Sequence, residues 1–265
     1  VYLNDINPEA FKMAQHNIRL NGLTSRVLAA NEDANLFLSR YAAPRKRFDC
    51  VDVDPFGAPV LYLDSAVRGT RDGGLLALTA TDLAPLCGVY PKSALRKYGG
   101  LSLRTEYCNE IAVRLLASCL AMTAARHDVG TTVLFGHSTD HYVRLYASAN
   151  YGAKKADESI RKIGYIQHCF TCFHREIYIG MLPPVKQQCN ECGSHLKTAG
   201  PLWLGKIADR EFCELMENEA ISRRNEEKIV KMLSLIKMEA DAPDTYYVID
   251  KICDKLGVPV PPLRK

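Results

Sequence analysis

Residues 48–57, Phe48-Asp49-Cys50-Val51-Asp52-Val53-Asp54-Pro55-Phe56-Gly57, set the reading of this chain. Phe48 to Val53 is a short apolar run of strand length. Pro55 and Gly57 end it sharply, so Asp54 and Phe56 belong on the loop at the strand's carboxyl end. In open α/β sheets ligands bind at that edge. A carboxylate and an aromatic ring at one strand end suit chemistry on the exocyclic amine of a flat base. Such an amine is a poor nucleophile because its lone pair is delocalised into the ring. An aspartate accepting its N–H bonds localises that pair and assists removal of a proton. A neighbouring ring offers the extracted base a face to stack on. Taken alone, the same tetrapeptide also reads as an ordinary turn after a strand.

Working outward, the chain alternates strand and helix. Val1 to Leu3 reads as a strand ending at Asn4-Asp5. Asn7 caps a helix with Pro8 in its first turn, Phe11, Ala14 and Ile18 form its apolar stripe, and Asn21-Gly22 stop it. A strand over 26–30 leads through Glu32-Asp33-Ala34 into a short helix. Beyond the opening stretch, strands are expected over 75–79, 131–135 and 142–149, with a long helix over 103–125 that aligns Ile111, Leu115, Cys119 and Met122 on one face. This alternation predicts an α/β domain with a mostly parallel sheet. Acids end successive strands. Asp5 is placed to bond both hydroxyls of an adenosine ribose and Asp33 to meet an adenine amino group, although Asp33 also reads as the cap of the helix starting at Ala34. Nicotinamide enzymes use a similar ribose acid. Their glycine fingerprint is missing here, and an oxidoreductase leaves the Asp54-Pro55-Phe56 loop unexplained.

The 265 residues, 47% hydrophobic and 24% charged, have room for two domains and a sizeable core. The longest uncharged apolar stretch, Leu115 to Ala125, is shorter than the roughly 20 residues that span a bilayer, and the amino terminus does not read as a signal peptide. The chain is read as cytoplasmic. Its net charge of +4 is spread evenly along the length, so local charge says more. Between Asp82 and Glu106 there is no acid, while Lys92, Arg96, Lys97 and Arg104 interleave with Tyr90, Tyr98 and Gly99-Gly100. That pattern reads as a phosphate-contacting loop or as a basic solvated one.

Four of the ten cysteines form two Cys-x-x-Cys pairs, Cys169/Cys172 and Cys189/Cys192, with 16 residues between them. This spacing predicts a structural zinc site of four thiolates. His168, His174 and His195 lie nearby as surface or supporting groups, because four sulfurs already complete the shell. Cys50, Cys87, Cys108, Cys119, Cys213 and Cys253 show no partner pattern and read as small apolar residues or free thiols. Helices are expected over 209–219, 225–236 and 246–256. Lys228, Lys231 and Lys237 beside Ile229, Leu233 and Ile236 read as a solvated face in preference to an RNA contact.

Asp5-Ile6-Asn7-Pro8-Glu9-Ala10, Asp52 to Gly57, Thr81-Asp82, Leu86-Cys87-Gly88-Val89-Tyr90-Pro91-Lys92, Lys97-Tyr98-Gly99 and Ser138-Thr139-Asp140-His141-Tyr142 together resemble the tRNA (guanine-26 N2) dimethyltransferase family, its archaeal branch above all. The similarity continues through the zinc-ribbon cysteines and Gly200-Pro201-Leu202-Trp203. It implies a class I, Rossmann-like methyltransferase domain over 1–149 and a smaller α+β, zinc-containing tRNA-binding domain over 150–265. It also implies S-adenosylmethionine as methyl donor, with Asp5 on its ribose and Asp33 and Ala34 on its adenine. Asp54 is then expected to orient the guanine N2 amine and help accept its proton, and Phe56, with Pro55, to pack against the base. Asp52 either holds the loop or is structural. Transfer of two methyl groups to one amine requires cofactor exchange between steps. Members of the family open with a first strand, a glycine-containing loop and arginine-bearing elements, whereas this chain opens at the second strand. An amino-terminally truncated chain is therefore expected, with sheet edges exposed on both sides of the gap. The ending at Pro261-Pro262-Leu263-Arg264-Lys265 is expected to fall short of a full carboxyl-terminal domain. The alternative is a catalytically inactive tRNA-binding homologue or fragment. The implied partner is tRNA, with no membrane and no protein partner inferred.

Overall fold

The computed structural model describes residues 1–183 and 186–262. The last three residues of the carboxyl-terminal stretch lie outside it. Strand β1 (Tyr2–Asn4) leads into helix α1 (Pro8–Leu20), which starts where Asn7 accepts the Glu9 N–H at 2.9 Å and Pro8 occupies the first turn. Strand β2 (Leu28–Ala30) then pairs with β1 in parallel, Asn4 opposite Ala30, and α2 (Ala34–Ser39) follows. Next come β3 (Phe48–Val53), α3 (Leu63–Gly69), β4 (Thr70–Ala80), the short α4 (Leu83–Leu86), α5 (Pro91–Tyr98), α6 (Cys108–Ala125), β5 (Val129–Thr139) and β6 (Tyr142–Tyr151).

Strands β3 to β6 form one sheet in the order β3-β4-β6-β5, separate from the β1-β2 pair. β3 and β4 are parallel, but β6 runs antiparallel to both β4 and β5. The sheet is therefore mixed and not mostly parallel. Only Asp140-His141 separate β5 from β6, and a link that short can make nothing but a hairpin. Among the described residues β1 and β3 each keep one edge without a strand partner. Tyr2, Phe37, Tyr41 and Phe48 pack their rings across that interval, with centroids 4.6–6.1 Å apart.

Side chains alternate across the larger sheet. Val51, Val53, Leu76, Leu78, Ala80, Val143, Leu145 and Ala147 are buried in the main core on one face. Asp52, Ala77, Thr79, Arg144 and Tyr146 take the other. Helix α6 begins five residues later than expected, because Leu101 bridges to Gly200 and Glu106 is drawn into an ion pair with Arg175 before the helix can start. Nor does it bury a single stripe. Ile111 to Ala121 are all buried, since the helix is packed on several sides. This is the one helix among the described residues apolar and long enough to cross a bilayer, and it is wrapped in protein.

After β6 come α7 (Ala153–Ile160) and an antiparallel sheet in the order β8-β7-β9, made of β7 (Ile163–His168), β8 (Arg175–Ile179) and β9 (Lys197–Trp203). Helices α8 (Arg210–Ser222), α9 (Glu227–Glu239) and α10 (Ile249–Leu256) complete the chain. Ile163, Ile166, Ala199, Leu202 and Trp203 join the same apolar cluster as Leu76 and Leu116, so the core is continuous across residue 150. A smaller cluster of Phe135, Ala208, Cys213 and Leu233 seats α8 and α9 on β5.

Candidate active site

The carboxyl ends of β3 and β4 carry the Asp54 loop. Asp54 is exposed, Pro55 half-buried, and the Phe56 ring stands fully in solvent at 104% relative exposure. Gly57 turns the chain with φ +85°, donates its N–H to Thr81 Oγ1 at 2.7 Å and accepts the Thr81 N–H at 2.9 Å. The loop is thereby tied back to the end of β4. Asp52, one pleat earlier, is chelated by Arg144 of β6: Nη1 to Oδ1 is 2.8 Å and Nη2 to Oδ2 is 2.7 Å. Nη1 of Arg144 also donates to Thr79 Oγ1 at 2.6 Å, and the guanidinium lies 4.7 Å from the Tyr146 ring centroid. Burial works against the Arg144 charge, but its hydrogen bonds to Asp52 and Tyr146 outweigh that and hold its pKa above the usual value. On β5, His137 faces Arg144; burial first, then the arginine's charge, pushes its pKa down.

The two acids expected at a cofactor both stand at strand ends. Asp5 is exposed directly after β1, and among the described residues its Oδ1 accepts only the Asn7 N–H, at 2.8 Å. Asp33 caps α2, its Oδ1 accepting the N–H groups of Asn35 at 2.9 Å and Leu36 at 3.1 Å, which leaves Oδ2 available. Ala34 is the first residue of that helix. The loops after β1 and β2 are laced together: Asn31 donates to the carbonyls of Asp5 and Ile6, and Asn4 to that of Glu32. Asn4 Oδ1 is buried without a partner among the described residues, an acceptor left open beside these acids. Two carboxylates on adjacent strand ends, with an unpartnered acceptor on Asn4 next to the first of them, fit an adenosine-bearing cofactor.

The basic stretch is not one irregular loop, since Lys92, Arg96 and Lys97 lie on helix α5. Lys92 and Arg96 are exposed on it. Lys97 instead pairs with Asp82 at 2.9 Å, and the buried Tyr98 hydroxyl also donates to that carboxylate, so Asp82 fastens α5 to the end of β4. Gly88, at φ +83°, lies against the backbone of Leu103 and Arg104, where a Cβ has no room. Cys87 and Cys108, given no partners by spacing, come close at the start of α6, where the Cys87 thiol donates to Asn109 Oδ1 at 3.5 Å. The neighbouring Cys87 thiol, opposed by burial and helped by the Cys108 and Asn109 N–H groups, brings Cys108 down to about 6. A cleft of about 920 Å³ lies between α6, the end of β5 and α9, and the exposed Lys228 and Lys231 are among the residues that line it.

The four cysteines of the two Cys-x-x-Cys pairs converge, with all sulfurs within 4.8 Å of one another and none in a disulfide. Two matching turns present them. Phe173 N–H bonds the Cys169 carbonyl at 2.8 Å and Gly193 N–H the Cys189 carbonyl at 2.9 Å, and both Phe173 and Gly193 take left-handed φ. Four thiols in two such knuckles fit a tetrahedral zinc ion. His174 is half-buried beside Glu176 and His195 is exposed, but His168 is fully buried, its Nδ1 3.1 Å from the Tyr107 hydroxyl. Burial, the largest effect, lowers the His168 pKa to about 4.

A family model described as N2,N2-dimethylguanosine tRNA methyltransferase matches residues 1–265. The tRNA (guanine(26)-N(2))-dimethyltransferase of Methanothermobacter thermautotrophicus is 42% identical over 267 residues, which is 99% of this chain and 68% of that protein. The tRNA (guanine(26)-N(2)/guanine(27)-N(2))-dimethyltransferase of Aquifex aeolicus is 38% identical over 271 residues, covering 99% of this chain and 67% of that one. Among solved structures, Trm1 from Pyrococcus horikoshii in complex with S-adenosyl-L-methionine superposes with a TM-score of 0.85 at 32% identity, over 97% of this chain and 70% of that one. With a sheet edge that presents Asp54 and Phe56, a four-cysteine cluster and a match along its whole length, the chain belongs to the N2,N2-dimethylguanosine tRNA methyltransferase family.

Proposed function

We propose that this protein is a tRNA (guanine(26)-N2)-dimethyltransferase that places two methyl groups on the exocyclic N2 amine of one tRNA guanine. The observation that carries the reading is the Asp54-Pro55-Phe56 loop, presented at the open carboxyl edge of β3 in a chain matched to this family from end to end. S-adenosylmethionine supplies the methyl group when bound, and Asp5, Asp33 and Ala34 are the residues that would hold its ribose and adenine. Asp54 accepts the N–H bonds of the target amine, directs its lone pair and helps take up the proton. Phe56 stacks on the extruded base, with Pro55 holding the ring's approach. Cys169, Cys172, Cys189 and Cys192 hold a structural zinc ion.

Residues 1–149 form the methyltransferase unit and 150–265 the zinc-containing tRNA-binding unit in this reading, with action in the cytoplasm. Exposed Lys92 and Arg96, the interleaved Tyr90, and Lys228 and Lys231 in the cleft support a phosphate-contacting surface. The test is incubation of the protein with labelled S-adenosylmethionine and unmodified tRNA, followed by mapping of the methylated nucleoside. Dimethylguanosine at position 26, lost about 10²–10⁴-fold in rate in Asp54→Asn with tRNA affinity kept, is the expected result. Binding of both tRNA and cofactor without product would instead make this chain a binding homologue.

A further inference from the structure

On the sheet face turned away from the main core, a row of side chains crosses three strands. The register sets Asp52 of β3 opposite Ala77 of β4, and Thr79 of β4 opposite Arg144 of β6. Arg144 therefore reaches Asp52 only by extending across β4. The small side chain of Ala77 leaves the lane open, Thr79 accepts a hydrogen bond at 2.6 Å on the way, and Tyr146 lies alongside at 4.7 Å. Both carboxylate oxygens of Asp52 are engaged by the guanidinium fork. An exposed ion pair stabilises a protein little. This one differs, because the Arg144 side chain is only 14% exposed and its planar fork is matched at both prongs.

Asp52 stands one pleat before Asp54 on the same side of β3. At the far end of the loop, Gly57 and Thr81 exchange two hydrogen bonds. Asp54-Pro55-Phe56 is thus suspended between two anchors, one made by Arg144 of β6 and the other by Thr81 just beyond the end of β4. Among the described residues no hydrogen bond or ion pair holds the Asp54 carboxylate itself, so its position depends on those anchors.

We propose that Arg144 is a positioning residue for methyl transfer: by clamping Asp52 across β4 it sets where the Asp54 carboxylate stands at the sheet edge. This rests on the reading of Asp54 as the group that holds the target amine. The clamp joins positions 92 residues apart. A misplacement of about 1 Å at a catalytic group costs on the order of 10²-fold in rate.

The experiment compares Arg144→Gln, Arg144→Lys, Asp52→Asn and the Arg144→Gln/Asp52→Asn double variant, measuring kcat, KM for tRNA, tRNA affinity and melting temperature, with Asp54→Asn in parallel. Each single neutral variant is expected to lower kcat by about 10- to 100-fold while KM and affinity stay within about twofold. The double variant is expected to be no slower than the worse single one, since both remove the same clamp. Arg144→Lys keeps the charge but not the fork and is expected to recover only part of the rate. Unchanged kcat in folded variants, losses that multiply in the double variant, or a full recovery by lysine would overturn the proposal. If Arg144→Gln fails to fold, Asp52→Asn, which alters a half-exposed carboxylate, opens the same clamp from its other side. Should Asp54→Asn retain turnover, the reading of the site fails; an inactive Asp54→Asn beside normal Arg144 variants defeats the clamp alone.

Discussion

Phe56 is the residue whose placement makes least sense for stability and most sense for binding. Its ring touches no protein surface, so folding gains nothing from it, while a rigid loop holds it at the mouth of the sheet. Phe56→Ala is therefore expected to leave the melting temperature within about a degree of the parent, since the truncated atoms are not buried. Stacking of one base on an aromatic face contributes about 1–3 kcal/mol, so kcat/KM for tRNA is expected to fall roughly 5- to 150-fold. Phe56→Tyr, which keeps the ring face, is expected to retain most of it. Steady-state kinetics beside a thermal melt decide the matter. A variant that lost stability and kept kcat/KM would make Phe56 a packing residue.

Among the elements, α5 and the cysteine knuckles carry separable tasks. Lys92 and Arg96 are one helical turn apart on α5, exposed, and in no ion pair among the described residues, while Lys97 is spent on Asp82. Alanine at Lys92 or at Arg96 is expected to weaken tRNA binding and to reduce the slope of log affinity against log salt by about 1 each. Binding titrations at several salt concentrations report that slope. An unaltered slope for both would remove α5 from the RNA surface. In the knuckles, Cys189→Ser removes one of four converging sulfurs. Metal content is expected to fall and the melting temperature with it, because zinc binding is coupled to folding. Elemental analysis and calorimetry on the same sample check both, and unchanged melting without metal would detach the cluster from stability.

At the scale of the whole molecule, the buried Arg114 joins parts far apart in sequence. From α6 it pairs with Glu110 and Asp244, each at 2.8 Å, and donates to the carbonyls of Trp203 at 2.9 Å and Gly205 at 3.0 Å. Arg175 repeats the device, pairing with buried Glu106, donating to the Tyr246 carbonyl and lying between the rings of Tyr107 and Tyr247. Removing one member of a buried charged cluster costs about 3–5 kcal/mol, because its partners are left unpaired. Arg114→Met is therefore expected to lower the melting temperature by roughly 6–20 °C, at about 2–4 °C per kcal/mol for a chain of this size class. A thermal scan measures it, and a shift under about 2 °C would mean that the cluster is readily replaced by apolar packing.

Local chemistry was legible in the linear chain. The Asn7-Pro8 helix start, the stop at Asn21, the strand that ends before Asp54 and the pairing of the four cysteines all depend on neighbours a few residues away or on a short repeated spacing. Whatever depended on partners distant in sequence had to wait for the folded molecule. The mixed direction of the sheet follows from where the β5–β6 hairpin docks on β4, and the late start of α6 from Glu106 meeting Arg175. Arg144 carries no local signal within its strand, and strand order brings it to Asp52 across 92 residues. Cys87 and Cys108 meet in the same way. The residues alone determined which chemistry was present, because donors, acceptors and rings are properties of side chains. Only the tertiary structure decided which of them share a surface, because sheet order and register set distances that no local pattern encodes.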